Sequence, residues 1–395
     1  MTGAPILHSR RLRASIFLLA LFLFCASCSG GNTSTATPTP KNTAGSAQPT
    51  MPGTAPGVKL GPQPCPALVQ DPAHWDPIIP TQVNVSKVEK VACGYLTGKP
   101  TLQALVTVRY QGTGALLDVY VYDNIESPNP TQLFKLQSLY KGDAKISLYN
   151  TLITAEVDQA SSINRGKSNA AQVPDLFREF NTGSFAPVSF PAFFPDLTRY
   201  QAEQDQAQVN QGQNGWKLDP AGVATHFVTD PHLLKWSSNV TTTVVSGGGK
   251  GDGSAVVSVK NNDAGGGTIQ LTMQRLEGNT NGGIWEIVTV TANGLSIDTP
   301  KSRDILSSPV TVSGTGNAFE GKIGRIIVLD HTLSDIGHAS ATGAAGNGAT
   351  SFSTSVSYTS TFKTGLQDGI IALYATNNAG GSLYSSVVMV KELLH

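Results

Sequence analysis

Past residue 100 the apolar residues of this chain come in short runs, many alternating with polar ones, and glycine-rich turns cut them off; a period of two is the signature of strands. Leu102–Tyr110 and Leu116–Asp123 flank the turn Gln111–Gly114 and predict a hairpin. In the second run Leu117, Val119 and Val121 point one way and Asp118, Tyr120 and Tyr122 the other. Further strand-like runs are Thr131–Leu139, Lys145–Val157, Leu176–Phe180 and Phe185–Phe190, so residues 62–195 read as a β-rich domain. With 41 glycines and only 14% charged residues in 395, the composition suits many short strands and tight turns, not a helical bundle.

The pattern changes after Phe190-Pro-Ala-Phe-Phe-Pro-Asp196. Leu197–Gln211 is helix-prone with Asp196 as its expected N-cap, and a second helix is expected from Asp219-Pro220, where Val223 and Phe227 share a face. Strands follow at Val240–Val245, Ala255–Lys260, Thr268–Gln274 and Ile284–Ala292. Residues 196–300 therefore read as an α+β region, two helices on a four-stranded meander, with Trp285 opposite the covered face.

The last region predicts strands at 309–313, 323–330, 351–358, 369–375 and 384–391, the spacing of a β-sandwich in which Val310 and Val312 face the core. The run Ser308-Pro-Val-Thr-Val-Ser-Gly-Thr-Gly-Asn-Ala-Phe-Glu-Gly321, then Ile326–Asp330, Asp368–Tyr374, Ala379–Ser382 and Ser385–Lys391, resembles the immunoglobulin-like Gmad2 domain of bacterial spore germination proteins. That resemblance implies an immunoglobulin-like sandwich over 303–395 and an association with sporulation or germination. Asn317, Phe319 and Glu320 are the expected contact residues. The fold class expected for the whole is mainly β, with an α+β middle and a C-terminal immunoglobulin-like sandwich.

At the other end Arg10, Arg11 and Arg13 precede Ile16–Cys28, whose continuous apolar part is too short for the ~20 residues a membrane-spanning helix needs, and this reads as a signal sequence. Ala26-Ser27-Cys28 resembles the bacterial lipobox, which implies acylation of Cys28, removal of what precedes it and a lipid anchor on the extracytoplasmic face of the cell membrane. Residues 29–61 are rich in Pro, Thr and Gly with almost no aliphatic residue, and predict a disordered tether. In an exported body Cys65 and Cys93, outside any C-x-x-C spacing, read as a disulfide and not as part of a metal site.

Chemistry is sparse. The balance of 27 basic against 27 acidic residues provides no field for nucleic acid. No G-x-S-x-G, H-E-x-x-H or S-x-x-K set occurs, the seven histidines are scattered and read as lone surface residues, and no cofactor or metal is expected. Glu156 and Asp158 share one face of a possible strand, the placement from which a glycosidase acid pair could be built, with a solvated edge the expected reading. The expectation is a non-catalytic envelope lipoprotein that binds a protein of the envelope or spore coat, or a wall component. The alternative is an extracytoplasmic hydrolase or solute-binding lipoprotein acting on wall sugar or peptide.

Overall fold

The computed structural model describes residues 57–81, 84–157, 175–276, 282–362, 366–376 and 384–395. The leader with Cys28, the tether up to residue 56, Asp158 and Ala379–Ser382 lie outside the described residues. Two single-turn helices, α1 (Ala67–Gln70) and α2 (Pro72–Trp75), precede an antiparallel meander of β1 (Ser86–Gly94), β2 (Gln103–Tyr110), β3 (Leu117–Asp123) and β4 (Thr131–Leu139). A second meander follows, β5 (Asp143–Ile146), β6 (Leu152–Ala155), β7 (Leu176–Asn181) and β8 (Ser184–Val188).

The expected hairpin is β2–β3, with Val106 opposite Tyr120. Its alternation separates two cores: Tyr120 and Tyr122 join Val106, Val108 and Trp75, while Val119 and Val121 join Leu105, Leu152 and Phe185. The first meander is thus covered on both faces. Cys65 and Cys93 are disulfide-bonded at a sequence separation of 28, which ties the segment before α1 to β1; closing such a loop contributes about 3.5 kcal/mol in the chain-entropy model. The run Lys145–Val157 is not one strand. Ser147 Oγ accepts the amides of Tyr149 and Thr151 at 3.1 Å each, and Asn150 takes a φ of 61°, so a side-chain-stabilised turn folds the run into β5 and β6.

Helix α3 (Arg199–Asn210) is capped by Thr198, whose hydroxyl accepts the Gln201 amide while the Gln201 side chain accepts the Thr198 amide, a capping box. Asp196, the expected cap, is instead buried, 3.5 Å from Lys217 Nζ. Helix α4 (Pro220–Thr229) begins as expected, with the Asp219 carboxylate accepting the Ala221 and Gly222 amides at 3.1 Å each. It lays Val223 and Phe227 on a meander of β9 (Val240–Gly247), β10 (Ser254–Asn261), β11 (Thr268–Gln274) and β12 (Glu286–Ala292), against Val257, Leu271 and Met273. Trp285 is not opposite the covered face. It sits fully buried just before β12, its amide donating to Lys217 O at 2.8 Å and its ring under the Arg275 guanidinium at 4.1 Å. Pairing with the 3-10 turn Gly215–Leu218, outside the strand, frees it from strand alternation.

The remaining strands are β13 (Ser296–Thr299), β14 (Ile305–Leu306), β15 (Val310–Ala318), β16 (Lys322–Leu329), β17 (Asp335–Thr342), β18 (Gly348–Val356), β19 (Gln367–Thr376) and β20 (Tyr384–Leu394). The order β13-β15-β18 makes one layer of a sandwich, and β17-β16-β19-β20 with β14 makes the other. Val312, Ile326, Phe352, Ile371 and Leu373 fill the space between them. Strand β17 lies between the expected strands 323–330 and 351–358, where no strand was expected: its Gly, Ala, Ser and His residues have little strand preference, and its ladder with β16 supplies what they lack.

The boundary expected near residue 300 is not a boundary in the sheet. Val290 of β12 pairs with Met389 of β20, so the meander under α4 and one layer of the sandwich form a single sheet. Its far face carries Ile327, Leu329, Ile370, Ala372 and Tyr374 into the same core as Phe227 and Trp285. Two covered faces explain why Ile370-Ile-Ala-Leu-Tyr374 is apolar without alternation. A fragment cut at residue 303 would leave that second face without its cover.

Candidate functional site

The second meander, the first turn of α3 and the open end of the sandwich enclose a cleft of about 200 Å³. Its apolar wall comes from Leu176, Phe177, Val188, Phe190 and Phe362, and its polar groups converge from elements far apart in sequence.

At its base lies Lys391 of β20, only 1% exposed. It reaches across the strand to the connector before α3, donating to Phe190 O at 2.7 Å and Leu197 O at 2.5 Å, and it pairs with Asp368 Oδ1 at 3.4 Å. Burial pushes its pKa down to about 8, with Asp368 pulling the other way. Arg199 bridges two elements, donating to Glu179 of β7 at 2.8 Å and Glu203 of α3 at 3.3 Å, its guanidinium over the Phe177 ring. Burial raises the pKa of both carboxyls and the Arg199 charge offsets it in part. The Tyr200 hydroxyl donates to Asp175, which also faces Lys145 Nζ at 3.6 Å.

On the sandwich side the turn after β16 is built by Asp330. One oxygen accepts the amides of Thr332 and Ser334 at 2.8 and 3.0 Å and the Thr332 hydroxyl at 2.7 Å, while Thr361 donates to the other at 3.2 Å. Burial alone would raise this carboxyl, but these hydrogen bonds outweigh it and hold the pKa below the usual value. The turn delivers His331, with Nδ1 at 3.1 Å from Gln367 Oε1 and its ring 4.9 Å from Phe362. Arg303 completes the site from the turn before β14. Its backbone is left-handed at φ 69°, and its amide donates to Lys391 O at 2.7 Å. Among the described residues no carboxylate pairs with its guanidinium.

The residues singled out in the sequence lie elsewhere. Asn317, Phe319 and Glu320 do come together at the β15–β16 turn, with Phe319 49% exposed and the Glu320 amide donating to Asn347 Oδ1 at 2.9 Å, but none lines the cleft. Glu156 lies just past β6, where its charge acts on Arg178, and its expected companion Asp158 is outside the described residues. Of the histidines read as lone surface residues, His331 lines the cleft and His226 stacks on Trp216 at 3.9 Å. Local sequence gave no sign of Arg303 or His331. Lys391-Glu392 did carry one, as two charges inside the apolar run Val387–Leu394.

Two layers around a shared core, with β13, β15 and β18 facing β16, β17, β19 and β20, define an immunoglobulin-like β-sandwich. Residues 295–382 match the family model described as Gmad2, the immunoglobulin-like domain of bacterial spore germination. No curated protein matches the chain. Among the described residues no helix is long and apolar enough to cross a membrane, and no group of three His, Cys, Asp or Glu could hold a metal ion.

Proposed function

We propose that this chain is a non-catalytic binding protein of the bacterial cell envelope that acts in spore germination or in the sporulation that precedes it. The observation that carries the reading is the Gmad2 match over 295–382. The Cys65–Cys93 bond supports an oxidising compartment, since such bonds are rare where thiols are kept reduced. In this reading acylated Cys28 anchors the protein on the extracytoplasmic face, residues 29–61 tether it, and the cleft and the β15–β16 turn are its contact surfaces toward a protein or wall partner. Fractionation of sporulating cells and of their spores, followed by immunodetection of the full chain, tests it. The expected result is enrichment in the membrane and spore-envelope fractions and slowed germination of spores that lack the protein. Recovery in the cytosol, with germination unchanged, would overturn it.

A further inference from the structure

The cleft contains three cations, Arg199, Arg303 and Lys391, and two carboxylates, Asp175 and Asp368. Arg199 is engaged by Glu179 and Glu203, Lys391 by Asp368 and two carbonyls, and Asp175 by Lys145 and Tyr200. Arg303 remains, with no carboxylate partner among the described residues. It is half-buried, and it is held in a left-handed conformation that a residue with a Cβ adopts only at a cost. The Lys301 amide donates to Asp304 Oδ2 at 2.9 Å and the Arg303 amide to Lys391 O, so the turn that imposes this conformation is fixed from both sides.

We infer that the cleft binds a small organic monocarboxylate, its carboxylate on Arg303 and its apolar body against Phe190 and Phe362. A planar guanidinium presents paired N–H donors that match a carboxylate, and the match is strongest away from bulk water. One unengaged cation beside Asp368 and Asp175 suits a single negative charge and disfavours a dianion. A cleft of about 200 Å³ has room for an apolar body about the size of a substituted benzene ring. The apolar side chains of the wall give such a body a place that an inorganic anion cannot use.

The inference rests on the reading of the chain as a binding protein and not on its cellular address. The test is calorimetric titration of the full chain with benzoate, with benzamide as the uncharged counterpart and inorganic phosphate as the second anion. Benzoate is expected to bind saturably and at least tenfold more tightly than either. Arg303→Met is expected to weaken benzoate at least tenfold, and Arg303→Lys several-fold, because it keeps the charge but loses the paired donors. Lys260→Gln, at an exposed position of β10 outside the cleft, is expected to leave binding unchanged. No saturable benzoate binding to the unaltered protein, equal binding of benzamide, tighter binding of phosphate, or full binding by a folded Arg303→Met would overturn the inference. Failure here with the protein still in the envelope would sink the ligand class alone; benzoate binding by a protein recovered from the cytosol would sink the functional reading alone.

Discussion

Lowering the pH from 8 to 5 is expected to stabilise this protein, the reverse of the usual acid response. Glu392 of β20 is fully buried, and neither of its carboxylate oxygens accepts a well-formed hydrogen bond. Burial, and then the Asp304 charge, push its pKa up to about 8. The folded chain thus keeps a proton that the unfolded chain releases near the ordinary glutamate value. Its contribution to stability is complete below that value and is lost as the pH rises to about 8. Glu286 shifts the same way, raised first by burial and then by the Asp196 charge, and burial also raises Asp196, Glu179 and Glu203. Asp330 opposes them only at the acid end, because its pKa is lowered and its contribution is lost as the pH falls through that value. Lys391, lowered to about 8, carries its proton in both states below that pH and so adds little slope between pH 5 and 8. Allowing for screening by solvent, Glu392 alone is worth about 2–4 kcal/mol between the two pH values. Glu392→Gln should therefore raise stability at pH 8 by about 2 kcal/mol and flatten the pH dependence. Urea denaturation at pH 5, 6.5 and 8 checks both; a stability that falls on acidification to pH 5, or a variant less stable at pH 8, contradicts the account.

Replacing Lys391 by Met is expected to cost about 3–5 kcal/mol, because breaking a buried ion pair from one side leaves its partners uncompensated. Methionine fills most of the volume, so packing is nearly kept. What is lost is donation to Phe190 O and Leu197 O and the pair with Asp368. Two buried carbonyls without donors account for about 1–3 kcal/mol each. Both carbonyls belong to the connector that leads into α3, so the loss should also loosen that connector and speed its cleavage by protease. Denaturant unfolding together with limited proteolysis measures the two effects. A loss under about 1 kcal/mol, with the connector as resistant as before, would show that the lysine does not hold it.

These two groups also show what could be read from the sequence. Strand runs were legible because a face turned to water leaves alternation behind, as in Val119 and Val121 against Tyr120 and Tyr122. Asp219-Pro220 was legible because a cap and a fixed φ act locally. The joining of β12 to β20 was not, since it depends on pairing between residues about a hundred positions apart, Val290 with Met389. The same separation hid the cleft, where Arg303, His331, Asp368 and Lys391 meet only after the sheet is assembled. Strand β17 and the turn at Ser147–Thr151 were missed for a nearer reason, the first because its ladder partner overrides weak preference, the second because one hydroxyl turns a chain that reads as extended.

Mass spectrometry of the amino-terminal peptide, from protein extracted from the membranes of the cells that make it, tests the central claim most directly. The account predicts a peptide that begins at Cys28 and bears the mass of attached acyl chains, alongside a non-reduced peptide joining Cys65 to Cys93. A chain that begins at Met1, unmodified, with both of those cysteines as free thiols, would contradict it.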